Sequence, residues 1–440
     1  MKRSEVYIPS RLEKLIVGIL ATIVALLPLH AFISTWGGTA IGPLWLWKSW
    51  KELLLVPLVG LVLFWLCTHL PALRVLLRDR LIQVGMVYTV LVLVFTRVGW
   101  TTLDHPAVLA GFAFDLRYIA MFILGYVAVR FGRLPYATFT PRIMRSIVWI
   151  GVALAVVGIL QVTIIPREFL SQFGYEKFVT IAPYLTIDEK SPYIIRAFAT
   201  LRGPNDYGAY LVMTLAVTLA SVMATRRKLS FAGLQLIAIF LSHSRSAYIA
   251  AFVVLGLWLG LTIGSERLKR YWLYIVGGVV SLLLIASLSL VSPTVRLIVF
   301  HSSVNDTHLT EGSIDDRSNS MTATLGRVIE NPLGCGTGCS GPASYYGADA
   351  RISENYYLQI AEEYGIVGVG LWIAMFVLVM RRLYVLRRSP LAFALFMSGA
   401  GIAIIGLLLH VWVDDPLSMT WWVLAGLVAA IQKHQFLRTK

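Results

Sequence analysis

The chain has 440 residues, of which 58% are hydrophobic and only 14% charged, at a mean hydropathy of +0.75. That balance excludes an ordinary soluble domain and makes lipid the surrounding solvent. A formal net charge of +15 would suit nucleic acid only on a soluble basic face, which these apolar runs leave no room for.

The first apolar run, LIVGILATIVALLPLHAFIS at 15–34, is followed by span after span, so it reads as a retained helix rather than a cleaved leader. Further spans are predicted at 52–70, 81–98, 109–129, 146–165, 208–224, 229–243, 246–263, 272–291, 365–380, 391–413 and 417–432. The expectation is an all-α polytopic protein of about twelve helices, a single integral membrane domain over 1–440. The polar SHSRS inside 229–263 predicts a tight outward turn.

Placing both termini in the cytoplasm makes every inner segment basic. Segments 1–14, 71–80, 130–145, 225–228, 264–271, 381–390 and 433–440 together hold 24 of the 38 Lys and Arg, as the positive-inside rule requires. The charge is thus topogenic and favours anionic membrane lipids. Two outer connections are long, 166–207 and 292–364, the latter between helices 9 and 10. Loops above ~15 residues are usually functional. The two halves of the chain do not mirror each other in loop length, which speaks against an inverted-repeat transporter.

Cys67 lies in an apolar span and reads as a small core residue. Cys335 and Cys339 in CGTGC would meet an oxidising compartment, where either a disulfide or free thiols is open. Without nearby histidines they make a poor zinc site.

Three clusters could carry chemistry. The first is Arg196, Arg202, Gly203, Pro204, Asn205 and Asp206 in RAFATLRGPNDYG, a turn before a helix expected near Gly208. Its arginines could hold a diphosphate by charge-assisted bonds, or merely snorkel, with Asp206 as a helix cap. The second is SHSRSAYIA at 242–250, where Arg245 does not serve the positive-inside bias and His243 reads as a satisfied interface histidine. Asp115 and Arg117, two apart on the fourth span, do not face each other, so each needs a partner elsewhere. The third closes the large loop: ENPLGCGTG, whose bare amides could reach an anion, then SENYYLQIAEEYGIVGVGLW. There Glu354, Glu362 and Glu363 are acidic residues close to the membrane, and a spacing of eight puts Glu354 and Glu362 on similar helical faces. They are candidate bases or solvated carboxylates.

In their order, these motifs resemble the bacterial O-antigen ligase and O-antigen/exopolysaccharide polymerase superfamily, over roughly 80–430. The landmarks are Arg196 with RGPNDYG, then Ser244-Arg245-Ser246-Ala247, then NPLGCGTG to ENYYLQIAEEYGIVG. Where the family commonly has glycine, three residues past the first arginine, stands Ala199. The resemblance implies an inner-membrane, metal-independent glycosyltransferase without cofactor, its site facing the periplasm. The implied donor is a glycan on undecaprenyl diphosphate; the acceptor is a lipid-linked or lipid A-core glycan. A flippase and a chain-length regulator would be its partners. Arg196 and Arg245 match the diphosphate-contacting arginines, Arg202 is added on charge and position, and Asn205, Asn355 and Tyr357 complete the expected binding set. Ligases of the family carry His-Asn where this chain has Glu354-Asn355, which favours a polymerase with Glu354 as base; His301 and His308 of the same loop are alternatives. A transporter of lipid-linked sugars would account for the spans but not for two long loops with arginine- and glycine-bearing turns.

Overall fold

The computed structural model describes residues 7–133, 136–188, 191–262 and 313–431. The predicted span 272–291, the basic segments 264–271 and 433–440, and His301 and His308 lie outside the described residues. In chain order the helices are α1 (Ser10–Leu26), α2 (His30–Ala40), α3 (Leu44–Lys48), α4 (Trp50–Thr68), α5 (Leu70–Leu77), α6 (Arg80–Thr102), α7 (His105–Arg130) and α8 (Tyr136–Thr163). Then come α9 (Pro204–Ala220), α10 (Thr225–Leu241), α11 (Arg245–Thr262), α12 (Ser313–Glu330), α13 (Tyr356–Val385), α14 (Pro390–Gly406) and α15 (Asp415–Ala429).

Among the described residues, seven stretches are long and apolar enough to cross a membrane: α1 with α2, α4, α6, α7, most of α8, α11 and α13. The predicted spans 208–224, 229–243, 391–413 and 417–432 are also helical, but as α9, α10, α14 and α15 of 17, 17, 17 and 15 residues. Seventeen residues reach about 25 Å, short of a ~30 Å hydrocarbon core. Of these, α9, α14 and α15 are buried along most of their length and form the middle of the bundle.

Small residues let the central helices meet backbone to backbone, as tight packing in lipid requires. A Cβ on Gly426 of α15 would lie 2.1 Å from the Phe122 carbonyl of α7, and one on Gly125 only 2.5 Å from that of Val423. Likewise α14 packs through Gly401 on Ala250 of α11 and Val212 of α9.

The structure corrects several expectations. The first span extends further than expected, Ser10–Ala40, and tightens to a 3-10 turn at Leu27–Leu29, where Pro28 cannot donate its backbone nitrogen. The fold is of the all-α class expected, and its first long loop adds a small antiparallel hairpin, β1 (Thr186–Asp188) and β2 (Ser191–Ile195), Thr186 opposite Ile195. Helix α9 starts at Pro204 with Gly203 as its cap, which leaves Asp206 inside the first turn rather than capping it. Cys67 is exposed on the surface of α4, not in the core. Within α13 the backbone breaks at Gly365 (φ 68°), separating a short helix from the long membrane segment.

Candidate active site

Helix α10 stops at Leu241 and α11 starts at Arg245, so SHSRS is the tight turn expected. His243 takes a left-handed φ of 50° at its apex. Arg196, at the end of β2, lies against this turn. Its backbone is tied by Arg196 N to Leu185 O (2.8 Å), and that of Ala197 by its N to Leu241 O (2.9 Å). The guanidinium donates from Nε to Ser242 O at 3.1 Å, and from Nη2 to Asn205 Oδ1 at 3.1 Å and His243 O at 3.3 Å. A contact spanning 46 residues of sequence thus brings Arg196, Asn205 and the turn bearing Arg245 together. Arg196 and Arg245 are both half-buried.

Arg202 stands apart: it is exposed, on the side of Lys48. Burial holds the Lys48 ammonium below the usual lysine range, and the charges of Arg202 and Lys51 add to the effect. Ala199 explains the family's glycine at its position. Its φ is +50°, a region that costs an L-residue roughly 1–2 kcal/mol, and Gln161 Oε1 accepts from both Phe198 N and Ala199 N at 2.9 and 2.8 Å.

His243 was expected to be a satisfied histidine. It is buried, but its Nδ1 finds no hydrogen-bond partner among the described residues. Burial, with the Arg196 charge beside it, pulls its pKa down to about 4.

Glu354 is half-buried at a left-handed corner, φ 50°, ahead of α13. The helix begins after Asn355, so the expected helical register between Glu354 and Glu362 does not exist. Asn355 is the cap: Oδ1 accepts from Tyr357 N (2.9 Å) and Leu358 N (3.0 Å), while Nδ2 donates to Leu407 O (3.0 Å). The Tyr357 hydroxyl donates to Ala403 O at 2.9 Å. Glu354 and its neighbours therefore sit at the C-terminal end of α14. Thr200 Oγ1 donates to Pro28 O at 2.8 Å, and His30 lies 3.2 Å from Asp415, which opens α15 just beyond the end of α14. This is therefore the end that also holds Arg196, Asn205 and the turn bearing Arg245.

The glycine-rich loop does not behave as expected. Its amides are consumed by protein: Cys335 N by Glu362 O, Gly336 N by Glu363 O, Thr337 N by Phe95 O, and Gly338 N by Glu363 Oε1 at 2.9 Å. It is a buried plug between α6, α7 and α13, not an anion cradle. Cys335 and Cys339 form a disulfide inside it, Cα–Cα 6.1 Å. Glu362 is also committed, accepting from Arg327 and, at 2.7 Å, from Ser340 Oγ.

Asp115 and Arg117 do find separate partners. Asp115 Oδ2 accepts from the Tyr364 hydroxyl, whereas Arg117 pairs with Asp415 and, at 3.4 Å, with Glu52. Lys51 joins this cluster, 2.9 Å from Asp415 and 3.2 Å from Glu52, and His30 lies 3.2 Å from Asp415. The sequence reading missed this buried network. Its signal was there in charges at the starts of two apolar helices, Lys51-Glu52 and Asp414-Asp415, which are expensive in lipid without partners.

With this geometry in place, residues 229–373 match the family model described as O-Antigen ligase. The match spans about a third of the chain and takes in the SHSRS turn, the plug and Glu354, but not Arg196. It supports the O-antigen ligase/polymerase superfamily that the motifs resemble, and with it an activity of the ligase or polymerase kind. Together with the apolar helices it indicates a multi-pass protein of the bacterial inner membrane. No curated protein matches the chain.

Proposed function

We propose that the chain is a metal-independent glycosyltransferase that joins lipid-linked oligosaccharide repeats into O-antigen or exopolysaccharide, using an undecaprenyl-diphosphate-linked glycan as donor. The observation that carries this reading is the convergence of Arg196 and Asn205 on the turn that opens into Arg245, at the bundle end that also holds Glu354. In the reaction the anomeric carbon–oxygen bond to the diphosphate breaks and the leaving group keeps the electron pair. Arg196 and Arg245, fixed in a low-dielectric corner, stabilise that developing charge. Glu354 takes the proton of the acceptor hydroxyl as its oxygen bonds the anomeric carbon. Arg202, Asn355 and Tyr357 would line the glycan side; the latter two also hold the corner in shape. Basic segments between the apolar helices support an orientation that turns this end to the periplasm, where the donor and any flippase or chain-length regulator would meet it.

The second reading is an O-antigen ligase that transfers the glycan to lipid A-core, favoured by the family description matched at 229–373. Purified protein, given lipid-linked oligosaccharide in detergent and resolved on a gel, separates the two. A ladder from that substrate alone means polymerase. A single shift that requires lipid A-core means ligase, and no product with either acceptor sinks both.

A further inference from the structure

Helix α12 is amphipathic, but its polar side faces the protein and its apolar side faces away. Ser320, Thr324 and Arg327, at intervals of four and three, point inward. The Ser320 hydroxyl donates to Ile352 O, and Arg327 Nε to Glu362 Oε1. Arg327 Nη2 donates to Thr324 Oγ1 at 2.9 Å and to Glu362 Oε2 at 3.3 Å. On the opposite side Thr322, Leu325 and Ile329 are exposed, Ile329 at 71%, and Leu333 follows just past the helix end at 77%. Asn319, Ala323 and Glu330, also exposed, stand about 80–120° round the helix from Ile329.

A helix lying on a protein in water shows the reverse pattern. Single exposed apolar residues are ordinary. A helix that turns its arginine to the interior and its leucine and isoleucine outward needs an apolar solvent on the outer side. That solvent is at hand. Ile366 N donates to Pro332 O at 3.2 Å, and a Cβ on Gly365 would lie 2.7 Å from the Leu333 carbonyl. Leu333 therefore stands at the head of the membrane segment of α13. From there Ile366, Gly370, Ile373 and Val377 are exposed at helical spacing, the row that this span presents to lipid. Leu333 joins the apolar side of α12 to that row.

We infer that α12 docks on the bilayer surface at the head of α13, with Leu325, Ile329 and Leu333 among the acyl chains and Asn319 and Glu330 at headgroup level. An interfacial helix of this kind sinks its apolar face about 5–10 Å into the boundary between headgroups and chains. Arg327 stays on the protein side, paired with Glu362, instead of reaching up to the headgroups. The docking holds whichever acceptor the site uses and whichever residue is the base.

The test uses the full-length protein with Cys67→Ala, which removes the exposed thiol, while Cys335 and Cys339 stay held in their disulfide. Ala323→Cys, Leu325→Cys, Ile329→Cys and Glu330→Cys are each labelled with bimane. The protein is placed in nanodiscs of phosphatidylcholine, with and without a nitroxide on the acyl chain near the carbonyl. The nitroxide lipid should quench the Leu325→Cys and Ile329→Cys labels several-fold more than the other two, and aqueous iodide should show the opposite order. Equal iodide quenching of Ile329→Cys and Glu330→Cys, with no effect of the nitroxide, would put the face in water and overturn the inference. Shielding of Leu325→Cys and Ile329→Cys from both quenchers would overturn it too, because protein, from this chain or a second copy, would then cover the face. If either of these variants melts below the parent, Thr322→Cys, on the same side of α12, is read in its place against the same outcomes.

Discussion

Two glycine- and proline-marked loops meet the bundle at the same kind of junction, and they do opposite things. In the plug at 331–347, glycines bring bare amides to the helices, and the helices take them up. In the corner at 196–206, an arginine is oriented by carbonyl oxygens of the neighbouring turn and by the Asn205 amide oxygen. The comparison teaches that glycine spacing tells where a backbone can bend, while the neighbours decide whether backbone amides or a side chain meet the acceptors there.

The sharpest way to break the comparison is at the corner. Arg196→Ala or Arg245→Ala should abolish glycan product on the gel, with the protein still present in membranes at near-normal amount. Arg196→Lys should rescue poorly, because one ammonium cannot reproduce the Nε and Nη2 contacts to Ser242, His243 and Asn205. Full activity of that lysine variant would reduce the fork to a snorkelling charge.

Next in size is Glu354. Glu354→Gln keeps shape but removes basicity, so turnover should fall by ~10²–10⁴ while donor binding hardly changes. A normal rate in this variant would move the base elsewhere in the large loop.

The plug should answer in stability instead. At Gly338, with φ at +87°, a Cβ would lie 2.3 Å from the Ala107 carbonyl, so Gly338→Ala should destabilise by about 2–4 kcal/mol, read as a lower melting temperature in detergent. Normal melting with lost product would mean that the plug touches substrate, and the contrast between the two loops would collapse.

The smallest effect is a pH dependence at the corner. Burial lowers the His243 pKa from 6.5 to about 4, so between these values the unfolded chain binds more protons than the folded one. Stability contributed by the neutral imidazole is complete above 6.5 and lost as pH falls toward 4. His243→Asn, which tolerates the left-handed backbone, should flatten the melting curve in that window. An equal slope in parent and variant would remove His243 as the titrating group.

Much of this was legible in the sequence, and for identifiable reasons. Apolar runs report burial in lipid directly, so every predicted span within the described residues is largely helical. The Ser-His-Ser-Arg turn was visible because polar residues interrupt a single run. What stayed hidden were pairings across long separations. Asp115 meets Tyr364 over 249 residues and Arg117 meets Glu52 over 65, and no local periodicity encodes either. A helix end was misjudged where one residue decides it: Asn355 starts α13 one residue after Glu354. Motif order singled out the candidate site residues, but not the fate of the plug amides, because their acceptors belong to other helices.

The break at Gly365 has a consequence for how this protein can be recombined. A Cβ on Gly365 would fall 2.5 Å from the Pro332 carbonyl, and one on Gly334 would fall 2.6 Å from Gly365 N. Ile366 N donates to that same Pro332 carbonyl at 3.2 Å. Each glycine is thus the clearance for the other strand of the crossing, like the two halves of a lap joint. A chimaera that exchanges the plug with a relative but keeps the native α13 puts foreign residues on one side of the joint only. The segment from Asn331 to Gly368 is the smallest cassette that carries both halves, and exchange borders placed outside it should preserve folding where borders inside it do not.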